Sequence, residues 1–257
     1  MLKNNIQKVI RLINILLFKK SLPNQIVIYF HETDEVEISA IEDIILFFQN
    51  LEYDFVSISK ISKNFGSEKK MFSFTFDDGF LNWKNLIPIF DLYDVKATFY
   101  LNTVILTDES NDNFLKNIGL DKEEKIINKR VLEELISSNH EIGAHTHSHH
   151  KLSNLKFEDF KNEIKTNLDI LKQFSIDIKS FAIPFGMRRY LKNEQIRYLE
   201  NNFQTLCYGE AGMLYKQDNK NIQRYPWQIN LTFYQNLVNL STDTNLFNKF
   251  TKRSGLG

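Results

Sequence analysis

The stretch MFSFTFDDG (Met71–Gly79) sets the frame for reading the chain. Its first six residues, rich in Phe and carrying Thr75, have the composition of a strand, and Asp77, Asp78 and Gly79 then force a turn. Successive side chains of an extended chain alternate in direction, so the two carboxylates face different ways. One can bind a cation while its neighbour works as a base. Taken alone, the same tripeptide also fits a solvated turn, because Asp and Gly are favoured there.

Working outward, QIVIYF (Gln25–Phe30) and KATFYL (Lys96–Leu101) read as buried strands, with shorter ones at Glu141–Ala144, Ser180–Ile183 and Gln204–Tyr208. Between them, helical periodicity covers Ala40–Leu51, Asn85–Tyr93, Lys129–Asn139, Phe157–Phe174 and Leu191–Asn202. Ser39 and Glu42 have the spacing of a capping box at the start of the first helix. Strands alternating with helices argue for an α/β fold with a parallel sheet covered on its faces, either open or closed into a barrel. Asp77, Asp78, the His145 region and Pro184–Gly186 all follow the C-terminal ends of expected strands, where such folds place their sites. That placement favours a barrel-like (β/α) arrangement. Thr107–Lys125, rich in Asn, Asp and Glu, reads as a surface loop near the same face.

Composition narrows the function. Lys plus Arg and Asp plus Glu both number 32, so there is no basic excess for phosphate neutralisation and nucleic acid is not an expected partner. The single cysteine, Cys207, can form neither an intrachain disulfide nor a zinc knuckle. At the N-terminus Ile6, Val9, Ile10, Ile13, Leu16 and Leu17 have helical spacing among basic residues, too short and too interrupted for a spanning helix and without a leader-peptide cleavage site. Such a segment packs on the body of the protein or touches a membrane surface peripherally. The reading is therefore an extension over residues 1–22, a catalytic domain over 23–240 and a tail over 241–257. The expected location is the cytoplasm or the inner face of the membrane.

GAHTHSHH (Gly143–His150) holds four of the six histidines. In a helix or tight turn His145 and His149 share a face and His147 points elsewhere; the alternative is a His-rich surface loop. Together with Asp78, two imidazoles leave coordination positions open, as a catalytic divalent site requires. A cation held this way lowers the pKa of water and polarises an amide carbonyl, and the unligated Asp77 can take the proton.

TFDDG, HTHSH and FAIPFG, in this order, resemble the motifs of the polysaccharide deacetylases, carbohydrate esterase family four, over about Gln25 to Trp227. The resemblance implies a distorted, incomplete (β/α) barrel and a metal-dependent hydrolase removing N-acetyl groups from an amino sugar of a bacterial surface glycan or its carrier-linked precursor. It implies Asp77 as base, Asp78, His145 and His149 as ligands of a divalent metal (zinc first, with cobalt or nickel as alternatives), and the backbone N–H of Phe185 as an oxyanion donor. Two departures stand out. Where many members carry an Arg before the Pro motif, this chain has Ala182; Arg224 is either its substitute from another strand or a surface charge. No histidine follows His150, so the general acid must come from elsewhere. His31, in a YFHE context resembling a Tyr-His element of relatives, is the candidate, with a structural role as its alternative. Phe80, Trp83, Tyr190 and Trp227 are either sugar-stacking rings or core. A silent glycan-binding relative and an esterase or deformylase are the competing functions.

Overall fold

The computed structural model describes residues 22–107, 109–120, 125–209, 217–237 and 240, without the side chain of Tyr190. The N-terminal amphipathic segment and the tail from 241 lie outside these residues. The strands are β1 (Gln25–Phe30), β2 (Asp54–Phe55), β3 (Met71–Phe76), β4 (Thr98–Leu101), β5 (Glu141–Ala144), β6 (Ser180–Ala182), β7 (Thr205–Tyr208), β8 (Asn221–Gln223) and β9 (Tyr225–Pro226). The helices are α1 (Glu35–Asn50), α2 (Ile58–Lys63), α3 (Ile87–Leu92), α4 (Asp112–Asn117), α5 (Lys129–Ser137), α6 (Phe157–Lys172) and α7 (Asn193–Asn202).

All the strand pairs are parallel, in the order β8-β7-β6-β5-β4-β3-β1-β9, with β2 beside the start of β3. The two ends of this order, β8 and β9, are consecutive pieces of one segment separated only by Arg224. Asn221–Gln223 pairs with β7 and Tyr225–Pro226 with β1. The sheet thereby curls into a nearly closed barrel with helices around it, as the sequence led one to expect.

The period-two alternation of each strand sorts its residues. Phe72, Phe74 and Phe76 of β3, Ile26, Ile28 and Phe30 of β1, and Phe99 and Leu101 of β4 join the outer core with Ile41, Ile44 and Phe48 of α1. The intervening positions, Val27, Met71, Tyr100, Ala182, Cys207 and Ile222, form a separate interior cluster. Both faces of β3 are therefore buried, which is why its six residues read as one apolar run. The Phe-rich composition is spent mostly on the outer layer: Phe72 lies 4.5 Å from Phe48, and Phe76 stacks on Phe99 at 4.9 Å between centroids.

Several boundaries differ from expectation. Helix α1 begins at Glu35, because Asp34 accepts from Val36 N–H and Glu37 N–H while Glu37 caps Asp34 N–H, a capping box that precedes Ser39 and Glu42 by more than a turn. The Thr107–Lys125 stretch contains α4. Short elements β2, α2, β8 and β9 carry too few residues for periodicity to reveal.

Candidate active site

Strand parity delivers the interior residues to the C-terminal end of the barrel. Asp77 continues the inward series Met71, Ser73 and Thr75; His145 follows Gly143; Arg224 follows Ile222. Beyond the strand ends the chain turns through unusual backbone. Asp78, Thr146, His149 and Phe185 all have positive φ, half of the eight such non-glycine residues among those described. This conformation is costly for a β-branched residue such as Thr146, and it persists only where surroundings hold it.

Two buried amides hold it. Asn102 donates to the carbonyls of His145 and Thr146, and Asn167 of α6 donates to Thr146 O at 2.6 Å and Leu101 O at 2.9 Å. Thr146 Oγ1 in turn accepts from His149 N–H. The HTHSH segment is thus a pinned turn, not a helix, and it brings His145 and His149 together while sending His147 away to Thr103 and Glu109. Asn167→Ala removes a buried donor from two carbonyls, so the expected cost is about 1–3 kcal/mol of stability. Because the ligand-bearing turn loosens, metal affinity should also fall by about 10–100-fold. Denaturant unfolding and zinc titration measure the two effects, and unchanged zinc affinity would show that the turn holds itself.

Asp78 Oδ1 lies 3.3 Å from His145 Nε2 and 3.2 Å from His149 Nε2. One atom from each residue falls within 4.8 Å of the others, and all three side chains are buried. A tetrahedral cation with bonds of about 2.0–2.1 Å holds its ligands roughly 3.3 Å apart, a spacing that the two Asp78–His distances match, so the trio could hold a metal ion. Asp78 Oδ1 is buried without a hydrogen bond, and His145 Nδ1 sits 2.8 Å from the Ala182 carbonyl, a donation that frees Nε2 as a ligand. Without a cation, burial works against the charge on His145, but the carboxylates of Asp77 and Asp78 outweigh it and raise its pKa. Burial pushes His149 down to about 4, leaving it a neutral imidazole.

Arg224 is 1% exposed and grips Asp77 with two parallel bonds of 2.7 Å, Nη1 to Oδ1 and Nη2 to Oδ2. Nη1 also donates to Thr75 Oγ1, whose own proton goes to Ile28 O. Burial alone raises the Asp77 carboxyl; the charge of Arg224, with that of His145, overcomes this and holds it below the usual carboxylate range. The surface-charge alternative for Arg224 does not describe this residue.

A cleft of about 340 Å³ opens over these groups. His31 stands at its rim, half exposed, with Nε2 4.0 Å from Asp78 Oδ2. Phe185, 47% exposed, lies against His149 at 4.7 Å. The turn at Pro184–Gly186 is closed by Gly186 N–H to Ile183 O, a bond that does not use the Phe185 N–H. Phe80 reaches the cleft, but Trp83 is fully buried and donates to the His31 carbonyl, so it supports the rim and stacks on nothing outside. Trp227 packs on Phe233 instead. Asn117 and Ile118, from the stretch that reads as a surface loop, form part of the wall.

The polysaccharide deacetylase family model matches residues 66–204, more than half of the chain and the span that holds Asp77, Asp78, His145, His149 and Phe185. The chain belongs to the polysaccharide deacetylase family. Among solved structures it is similar to the Streptococcus pyogenes deacetylase PplD, with a TM-score of 0.65, 18% identity and coverage of 84% of this chain and 97% of that one. It is also similar to a polysaccharide deacetylase from Bacillus cereus (TM-score 0.66, 15% identity, 83% and 68% covered). A de-N-acetylase from Aggregatibacter actinomycetemcomitans gives a TM-score of 0.63 at 15% identity, with 83% and 99% covered. At such identities the likeness is one of fold. Curated protein sequences gave no significant match.

His31 and Arg224 fall outside the matched span: His31 follows β1, which pairs directly with β3, and only Arg224 reaches the site through the segment that closes the barrel. Ala182 contributes its carbonyl to His145, and Arg224 approaches Asp77 from the closing strand. Tyr29, Tyr100, Asn102 and Asn167 also surround the site. Their sequence signal is only that of polar or aromatic residues in or beside strands and helices, which does not separate them from core. Among the described residues no helix is long and apolar enough to cross a membrane.

Proposed function

We propose that this chain is a metal-dependent de-N-acetylase acting on an acetamido sugar of a bacterial surface glycan or its carrier-linked precursor, with residues 23–240 as its catalytic domain. The observation that carries the reading is the adjacency of two differently used carboxylates. Asp78 faces two imidazoles with one candidate ligand atom from each residue close together, while Asp77 is kept ionised by a buried Arg.

Asp78, His145 and His149 would hold the cation, most simply zinc. When bound, such an ion lowers the pKa of water and polarises the amide carbonyl. Asp77 accepts a proton from the attacking water, with Arg224 fixing its orientation and preventing its neutralisation before the reaction. The Phe185 N–H donates to the oxygen that gains charge at the tetrahedral stage, a contribution of ~3 kcal/mol where such donors have been removed. His31, at the rim and accessible to solvent, protonates the departing amine. The sugar lies across the cleft mouth, where Phe185 presents an exposed ring.

The test is acetate release from a panel of acetamido sugars, free, oligomeric and carrier-linked, by the zinc-loaded protein. We expect release from at least one class, abolished by chelation and restored by added Zn²⁺ or Co²⁺. Binding of sugars without acetate release would point to a silent glycan-binding relative. Turnover of acetate esters or formamides alone would reassign the acyl group, and full activity after chelation would remove the metal from the mechanism.

A further inference from the structure

Two tyrosines surround Arg224 without a role in the chemistry above. The guanidinium carbon lies 4.9 Å from the centroid of the Tyr29 ring and 5.2 Å from that of Tyr100. Both distances are within cation–π range, and the charge is desolvated, where this attraction is strongest. The edge of the guanidinium is engaged by Asp77 and Thr75, while Arg224 Nε is buried without a hydrogen bond. Beyond those edge bonds the cation has the two aromatic rings as close neighbours.

Each ring occupies space that a side chain would fill. A Cβ at Gly143 would stand 2.3 Å from Tyr100 Cε1, and one at Gly209 would stand 3.2 Å from Tyr29 Oη. Tyr100 is fully buried inside the barrel, its hydroxyl 3.1 Å from Cys207 Sγ. Tyr29 lines the cleft and its hydroxyl donates to Gly209 O at 3.4 Å.

We propose that Tyr29 and Tyr100 are positioning residues whose rings clamp the Arg224 guanidinium and, through its two bonds, fix the orientation of Asp77. The proposal rests on Asp77 being the base. Tyr100 is the cleaner probe, since it does not line the cleft.

The experiment has two arms, both on full-length zinc-loaded protein. In the first, arginine is labelled with ¹⁵N and the Nη–H signals of Arg224 are assigned by their loss in Arg224→Met. The clamped guanidinium should rotate slowly and give resolved signals. Tyr100→Phe, which keeps the ring, should preserve them, and Tyr100→Leu, which keeps apolar bulk only, should merge them. In the second arm, acetate release from triacetylchitotriose is followed, or from whichever acetamido sugar of the panel turns over. Tyr100→Leu should lower kcat by about 10-fold with KM and bound zinc unchanged, the size of a desolvated cation–π contact, and Tyr100→Phe should restore most of it. In an Arg224→Met background Tyr100→Leu should have no further effect on kcat.

Should Tyr100→Leu not fold, Tyr29→Leu takes its place in both arms, with the same dependence on Arg224 expected. Resolved Arg224 signals in the Leu variants, or an equal kcat loss with and without Arg224, would overturn the clamp. Merged signals with unaltered kcat would keep the contact but deny that it serves the base. No turnover by wild-type protein on any panel sugar would fail the functional reading instead, and the signal arm would still decide whether the clamp exists.

Discussion

Asp77→Asn is expected to lower turnover by ~10²–10⁴, the usual worth of a general base, while zinc affinity survives. The substitution keeps size and polarity and removes basicity. Asp78→Asn should behave differently, because Asp78 Oδ1 is the atom both imidazoles face; this variant should bind zinc more weakly. Measuring turnover against zinc concentration separates the two. Excess zinc should partly rescue the Asp78 variant and leave the Asp77 variant inactive. If both are rescued equally, or if Asp77→Asn keeps full activity, the base is another residue and His31 is the next to test.

Arg224→Met should be the most destabilising single change at the site. It leaves the Asp77 carboxylate, 3% exposed, without its counter-charge; breaking a buried pair this way costs about 3–5 kcal/mol. The pH dependence has a defined sign. In the wild-type protein Asp77 is held below the usual carboxylate range, so its contribution is present above the unfolded pKa of about 3.9 and is lost as pH falls through the lower folded value. Without Arg224 the burial penalty on the ionised carboxyl loses its largest opposing charge, so the ionised form becomes more costly and that cost shrinks as the carboxyl takes up a proton at lower pH. The stability deficit of cation-free Arg224→Met should therefore be larger at about pH 7.5 than at about pH 5 by denaturant unfolding. Equal deficits at the two pH values would mean that packing, not charge, dominates the role of Arg224.

Much of this architecture is legible in the residues. Strands such as QIVIYF and MFSFTF announce themselves because both of their faces are buried, and the three motifs lie at strand ends. The resemblance was enough to select Asp77, Asp78, His145 and His149, which the fold then brings to one cleft. What stayed hidden depends on tertiary closure. Arg224 reads as either a tether or a surface charge, since β8 and β9 have three and two residues and no period. Only their pairing with opposite ends of the sheet turns the side chain inward. Trp83 carries the same composition signal as a sugar-binding aromatic, yet its burial under His31 is set by how the turn after Asp78 folds back. The start of α1 differs for a local reason: Asp34–Glu37 and Ser39–Glu42 both have the spacing of a capping box, and the chain uses the first.

The closing segment Asn221–Pro226 also has a meaning for biogenesis. It follows every other described strand in order of synthesis, so a nascent chain that has made β1 through β7 still exposes the edges of β1 and β7, the kind of unpaired backbone that templates association with other chains. The same nascent chain holds Asp77 without its guanidinium partner. Sealing of the adhesive edges and arming of the base therefore depend on one and the same segment. A chain truncated before Asn221 would carry both defects together: two unpaired strand edges and a base without its guanidinium.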